Sequence, residues 1–358
     1  MKYNDYRRFS REILVGSVRL GGKSPVSVQS MTNTDTHDLE ATYRQVMRLE
    51  AAGCDIVRIT APDIESCATF SALKVRGVSL PLVADIHFDY KIALAAAKAG
   101  ADKIRINPGN IGSKDKVREV VIACRERDIP IRIGVNSGSL EKSILEKYGA
   151  PCAEALAESA LYHASLLEEL DYFNIAISVK SSDVQTMIRA NRILAEKTDY
   201  PLHLGVTEAG ARTRALVKSS IGVGTLLAEG IGDTVRVSLT DDPVEEIAAA
   251  KAILDSLDIS EKRGMDIVSC PTCGRTKIDL IKLLSEFEDR VKSEGLEGKS
   301  LKVALMGCAV NGPGEAREAD IGIAGGIGEA LLFKKGEIIR KINEERLIDE
   351  LIAEIKAM

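Results

Sequence analysis

Cysteine is the residue type whose spacing first points to chemistry. Cys270-Pro-Thr-Cys273-Gly274 opens one stretch, and Cys308-Ala-Val-Asn311-Gly-Pro-Gly-Glu315 follows after a helix-length interval. No fourth cysteine follows, and the last histidine in the chain is His203, so this stretch lacks the fourth N or S ligand of a closed zinc site. Three thiolates with a carboxylate in reach suit an iron–sulfur cluster with one iron weakly held. An iron with a replaceable ligand can bind substrate directly. On spacing alone, structural zinc remains the alternative. A redox Cys-x-x-Cys ranks behind both, since no helix start follows the first cysteine. Cys54, Cys67, Cys124 and Cys152 stand singly in apolar or helical contexts and read as small buried hydrophobes.

A second set of reactive side chains recurs with strand periodicity. Arg58 and Thr60, Asp85 and His87, Arg105 and Asn107, Arg132 and Asn136, Ser178 and Lys180, His203 and Thr207, and Arg236 and Ser238 each stand two or four residues apart. Residues two apart share one face of a strand. The alternate residues are apolar: Ile59, Ile86, Ile104 and Ile106, Ile131 and Ile133, Ile175, Ile177 and Val179, Leu204 and Val206, Val235 and Val237. Four arginines and one lysine converge, with Asp85 and Glu208 as the evident local anions. Arginine forks suit phosphate oxygens, so the pattern points to a small polyanionic substrate, a diphosphate above all.

The elements that carry these residues are eight strand–helix units. The strands read as 26–30, 55–60, 81–87, 102–107, 129–136, 173–180, 202–208 and 234–239. Helices lie between them, among them 39–52 and 90–99, and 243–257 supplies the last. This count and length predict a (β/α)8 TIM barrel, with a doubly wound open sheet as runner-up. A sheet covered by helices on both faces would bury the polar face without partners. A barrel instead opens it at its C-terminal mouth. Around 219–232 the glycines could cradle a phosphate at a helix start or serve packing; no Walker A or complete dinucleotide fingerprint is present. The barrel is expected over 1–258 and a polar linker over 259–265. A small α+β iron–sulfur domain is expected over 266–358, its cysteines at two strand ends.

The chain has 358 residues and a net charge of −5, which argues against a general nucleic-acid binder. Tryptophan is absent and aromatics are 4%, too few for base-stacking platforms. No apolar run approaches a membrane span, the first residues lack a signal-peptide core, and seven cysteines without such a signal point to reduced thiols. A cytoplasmic protein is expected.

With these residues placed, the chain resembles the 4-hydroxy-3-methylbut-2-enyl diphosphate synthase family over nearly its whole length. The most specific stretches are CPTCGR at 270–275, CAVNGPGE at 308–315 and GVTEAG at 205–210. The barrel-then-cluster order resembles the bacterial two-domain form. The resemblance implies a 4Fe–4S cluster on Cys270, Cys273, Cys308 and Glu315, the glutamate yielding to substrate. It implies that 2-C-methyl-D-erythritol 2,4-cyclodiphosphate is opened and dehydrated with two electrons from a flavodoxin or ferredoxin. By motif match, Arg58, Arg105, Arg132 and Lys180 would clamp the diphosphate. His87, Asn107, Asn136, Thr207, Arg236 and Ser238 would line the site, and Glu208 would be the proton donor. A head-to-tail homodimer with composite active sites is also implied. Rival readings are a phosphate-binding barrel synthase with structural zinc, an electron carrier or cluster scaffold, and a sirohaem reductase. The carrier leaves the cationic face unexplained, and the sirohaem site needs four cysteines.

Overall fold

The computed structural model describes residues 3–260, 264–309, 314 and 316–358, the side chains of 108, 109 and 139 apart. The chain divides into two compact units, Met1–Ser260 and Glu261–Met358. Among the described residues no helix is long and apolar enough to cross a membrane.

In the first unit a single helical turn, Tyr3–Tyr6, precedes a hairpin, β1 (Ile13–Val15) and β2 (Val18–Leu20). Eight parallel strands follow: β3 (Ser27–Met31), β4 (Ile56–Thr60), β5 (Leu82–Asp85), β6 (Lys103–Ile106), β7 (Ile131–Asn136), β8 (Ile175–Lys180), β9 (His203–Leu204) and β10 (Thr234–Val235). They pair in the order β8-β7-β6-β5-β4-β3-β10-β9. The parallel bridge Ile177↔Leu202 and the Ile177 N–H to Pro201 carbonyl bond, 2.9 Å, join the two ends, so the sheet closes as a TIM barrel. Helices follow every strand, from Leu39–Ala51 to Pro243–Ser256. The expected apolar face packs outward against them: Ile59, Ile104, Ile131, Ile177, Leu204 and Val235 are all fully buried in one large core.

The last two barrel strands are shorter than the sequence suggests. Their ladders end at Leu204 and Val235, although Arg236 still donates its N–H to the Leu204 carbonyl at 3.0 Å. The glycine-rich stretch is not a phosphate cradle. Gly222 lies inside the helix Arg212–Ala228, where a Cβ would stand 2.7 Å from Met187 Cε and 2.9 Å from Val206 Cγ2. The glycine lets that helix pack closely on β8's helix and the β9 segment, which is the packing alternative.

The sequence reading did not foresee the hairpin. Ile13, Val15 and Leu20 cluster with Ile56, Val83 and Ala176, the inward residues nearest the N-terminal ends of three strands. They stopper the bottom of the barrel. The charged N-terminal segment is latched to it: Arg7 pairs with Asp233 at 2.7 Å, and the same carboxylate accepts Ser10 Oγ and Leu202 N–H, each at 2.8 Å.

The second unit is a five-stranded sheet in the order β11 (Asp266–Ser269), β12 (Lys302–Met306), β13 (Ile321–Gly325), β14 (Glu329–Lys334), β15 (Glu337–Asn343). The first three strands run parallel and the last two antiparallel. Helices Leu280–Ser293 and Leu347–Ala357 cover it, burying Phe287, Leu347, Leu351 and Ile355 against Val303, Leu305 and Ile323.

The stopper makes a direct prediction. Leu20 is 1% exposed in a small, tightly enclosed cluster, so Leu20→Ala should lower unfolding free energy by about 2–5 kcal/mol, measured by urea denaturation. A loss below about 0.5 kcal/mol would mean that the hairpin is not part of the packed barrel.

Candidate active site

The site is built from side chains that a closed barrel turns inward. β4, β6, β7 and β8 deliver Arg58, Arg105, Arg132 and Lys180, and the segments after β9 and β10 deliver Thr207, Arg236 and Ser238. Together with Gly134, Asn136 and Ser178 they line a pocket of about 60 Å³ at the C-terminal mouth. Five cations therefore share one small cleft.

Their anionic partners are few. Asp85 receives Arg105 Nη1 at 3.0 Å and faces Arg58 Nε at 3.6 Å. Glu246, on the helix Pro243–Ser256, receives Arg236 Nε and Nη2, each at 3.1 Å. Met31 Sδ accepts from Arg58 Nε and Nη2 at 3.1 and 2.9 Å. Below them Arg132 Nη1 donates to His203 Nδ1 at 3.0 Å, which leaves the His203 proton on Nε2. Lys103 is also fully buried on the inner face of β6.

Burial and mutual repulsion shift these groups together. Burial alone would raise the Asp85 carboxyl, but Arg58, Arg105 and Arg132 overcome it and hold it well below the usual carboxylate range. Burial lowers Arg58 to about 10, with Asp85 opposing the shift and Arg236 and Arg105 adding to it. Burial, then repulsion from Arg236, Arg58 and Arg132, lowers Lys180. Burial and Arg132 drive His203 well below its ordinary value, so it is neutral. A buried cluster with more positive than negative charge is costly until an anion enters.

Of the residues expected to contact substrate, Arg58, Arg105, Arg132, Asn136, Lys180, Thr207, Arg236 and Ser238 meet in this cleft. Asn107 is buried after β6. His87 is on the exposed rim, its Nε2 3.5 Å from Arg105 Nη1. Glu208 is not the second anion of the cleft. It is exposed, in the left-handed region at φ 51°, and outside the cleft lining. Glu246 takes that place. No strand pattern announces it, because it reaches in from a helix. Lys103 and Gln29, both buried on inner strand faces, also escaped the sequence reading; Lys103 alternates correctly with Arg105 and was there to be found.

In the second unit Cys270 follows β11, and Cys308 lies two residues beyond β12. The strands run parallel with Ser269 opposite Leu305, so both thiols leave the same end of one sheet. Gly307 N–H points to Cys270 Sγ at 3.3 Å. Cys273 sits on a turn closed by Thr276: its N–H donates to Thr276 Oγ1 at 3.1 Å, and Thr276 N–H returns to the Cys273 carbonyl at 2.9 Å. The Arg275 backbone N–H, then its side chain, lower the Cys273 thiol and favour the thiolate. Three of the four isolated cysteines behave oppositely: burial pushes Cys54 and Cys124 up to about 12 and Cys67 to about 11; Cys152, expected to be buried like them, is only half-buried. As placed, no three Cys, His, Asp or Glu side chains among the described residues close into one metal-binding set. Glu315 lies outside the described residues. In kind the donors fit an iron–sulfur cluster: three thiols from one sheet end, one taking a backbone N–H and one disposed to ionise.

Residues 10–251 match the family described as the GcpE TIM-barrel domain, and residues 266–357 match the GcpE protein C-terminal domain. A Clostridium perfringens protein named 4-hydroxy-3-methylbut-2-en-1-yl diphosphate synthase (flavodoxin) is 58% identical over 352 residues, 98% of this chain and 99% of that protein. A Fusobacterium nucleatum protein of the same name is 56% identical over 344 residues, 96% of each chain. Among solved structures, type I 3-dehydroquinate dehydratase from Clostridium difficile superposes with a TM-score of 0.50 at 12% identity. It covers 68% of this chain and 98% of its own, a likeness of fold alone.

Two outcomes follow from the geometry. A Cβ at Gly134 would overlap the Arg105 guanidinium, so Gly134→Ala should push that arginine out of the cleft. Diphosphate affinity by calorimetry should fall at least about tenfold with circular dichroism unchanged; unaltered affinity would show that Arg105 is not held by that contact. The second concerns pH. Folded His203 stays neutral while the unfolded chain takes up a proton below about pH 6.5. Folding stability must therefore fall as pH drops from 6.5, by up to about 1.4 kcal/mol per unit for this group. Urea melts at pH 7 and pH 5 should give a shallower loss in His203→Gln, whose amide oxygen can still accept from Arg132; equal losses would mean that His203 protonates in place.

Proposed function

The chain belongs to the GcpE family, and on that premise we propose that it reductively opens and dehydrates 2-C-methyl-D-erythritol 2,4-cyclodiphosphate. The product is 4-hydroxy-3-methylbut-2-enyl diphosphate, an isoprenoid precursor. Two electrons and two protons enter, one C–O bond of the cyclic diphosphate breaks, and one oxygen leaves as water. The observation that carries the reading is the excess of cations at the barrel mouth: five around one cleft, with Asp85 and Glu246 in contact with them.

Arg58, Arg105, Arg132 and Lys180 bind the diphosphate. The cleft holds about 60 Å³, room for about two waters, so it seats phosphoryl oxygens and leaves the carbon skeleton above it. Binding should relieve the mutual repulsion of the cations and exclude water from them. Asn136, Thr207, Ser238 and Arg236 orient the ligand from the lining, with Asn107 and His87 beside Arg105. Glu208 remains our candidate for handing a proton to the departing hydroxyl. It is exposed, with a left-handed backbone one residue beyond the cleft-lining Thr207. A residue held at positive φ despite its Cβ is a recurrent feature of functional loops.

Cys270, Cys273 and Cys308, with Glu315, would hold a 4Fe–4S cluster. Such a cluster supplies electrons one at a time and a Lewis-acidic iron. The relatives named above are flavodoxin enzymes, which supports a flavodoxin as electron donor here, with ferredoxin as the alternative. Seven free thiols suit the reducing cytoplasm, where we place the protein. A homodimer with composite sites completes the reading.

The test is anaerobic purification with a visible spectrum, metal and sulfide analysis, and turnover of the cyclodiphosphate with a reduced flavodoxin. Absorption near ~400 nm, roughly four irons per chain and product formation are expected, with kcat/KM reduced at least about a hundredfold in Arg105→Met. A colourless protein with stoichiometric zinc and no turnover would leave only an anion-binding barrel. Heterodimers of a Cys270→Ala chain and an Arg105→Ala chain should retain one intact composite site; complete inactivity would overturn the shared arrangement.

A further inference from the structure

Glu246 is a carboxylate with 4% exposure, outside every strand, and no residue pattern of the barrel requires an acid there. Four donors converge on it from three directions. Arg236 gives Nε and Nη2 at 3.1 Å each, as a two-pronged fork. Ser30 Oγ, on β3, donates at 2.8 Å to Oε2. Leu239 N–H donates at 3.3 Å to Oε1, which fixes the backbone immediately after Ser238. Both carboxylate oxygens are thus occupied, and among the described residues the charged donor is Arg236.

We infer that Glu246 is the positioning residue of the anion clamp: it holds the Arg236 guanidinium aimed into the cleft, and sets the Ser238 segment beside it. The inference rests on the diphosphate reading given above. A fork through Nε and Nη2 leaves Nη1 as the guanidinium edge turned away from Glu246. On that edge Met31 Sδ stands at 3.8 Å, a weak acceptor that a phosphate oxygen readily displaces. Arg58 also crowds Arg236 electrostatically, so an untethered Arg236 would be driven outward by repulsion.

The alternative is that Glu246 competes with the ligand for Arg236. It fails on burial: if Arg236 left for a phosphate, a nearly inaccessible carboxylate would lose the two charged hydrogen bonds of its fork, which is strongly unfavourable. The fork therefore persists when the ligand binds, and Glu246 acts through Arg236 without touching substrate.

A double-mutant cycle separates these cases. Binding of inorganic diphosphate to the full-length protein is measured by calorimetry for wild type, Glu246→Gln, Arg236→Met and the double variant, with thermal melts on each. Glutamine keeps an acceptor oxygen for Ser30 and Leu239 and removes the charge. The expected result is about tenfold weaker binding in Glu246→Gln, about 1.4 kcal/mol, with a lower Tm that still leaves the protein folded at the temperature of the titration, and no further loss of affinity when Arg236 is already methionine. Equal losses in both backgrounds would reduce Glu246 to a structural carboxylate and overturn the inference, as would unchanged or tighter binding in Glu246→Gln. If wild type itself binds no diphosphate, the anion-site reading falls and this inference with it; if wild type binds and the cycle is additive, only the inference falls.

Discussion

Two carboxylates are set against five guanidinium and ammonium groups around one barrel mouth, and much of the first unit exists to keep that imbalance tolerable. Buried charge without a partner costs several kcal/mol per ion. The protein answers with shared partners rather than more of them. Asp85 serves two arginines from the middle of the cluster, and its own acidity is the measure of the field it sits in. Glu246 serves a third from the flank. A neutral histidine accepts from a fourth, so Arg132 is hydrogen-bonded without being neutralised. What remains unbalanced after these contacts is the affinity for an incoming anion. Preorganised charge of this kind also favours whichever state of the ligand carries more negative charge on its phosphoryl oxygens.

The second unit solves a different problem with the same economy. Its cysteines leave adjacent ends of parallel strands whose register is fixed over four residue pairs, and the sheet behind them is filled by a separate apolar core. Three of the other four, Cys54, Cys67 and Cys124, are buried and raised in pKa, out of easy reach of oxidation and metal; Cys152 is half-buried. Environment alone sets three thiols available for ligation apart from three that only fill space.

The sequence made the inward face of the barrel legible because strand alternation is strict. Arg58, Arg105, Arg132 and Lys180 could be assigned to one face by counting in twos, and the cleft brings them together. The short apolar runs before Cys270 and Cys308 likewise located both strand ends in the second unit. What escaped has common physical causes. Glu246 acts across from a helix, where no period of two connects it to Arg236. The stoppering hairpin is made of three-residue strands, too short to display a period, inside a segment that reads as charged. Glu208 looked like a second anion of the mouth because the strand was extrapolated through it. The ladder stops at Leu204, and beyond it the chain turns and carries the carboxylate to the surface. Local pattern reveals which way a residue faces while the ladder lasts, and loses that power where the ladder ends.

The hairpin at the bottom of the barrel has a consequence for traffic. Ile13, Val15 and Leu20 cover the end opposite the cations, and the packed barrel interior between leaves the mouth as the one door. Whatever enters over the mouth leaves over it, and on the proposed reading the diphosphate group, seated deepest, is the last part to let go. Arrival and departure therefore cannot overlap. The clamp that captures the ligand is also the toll gate for its exit, and grip strength sets an upper bound on how fast the door can be used again.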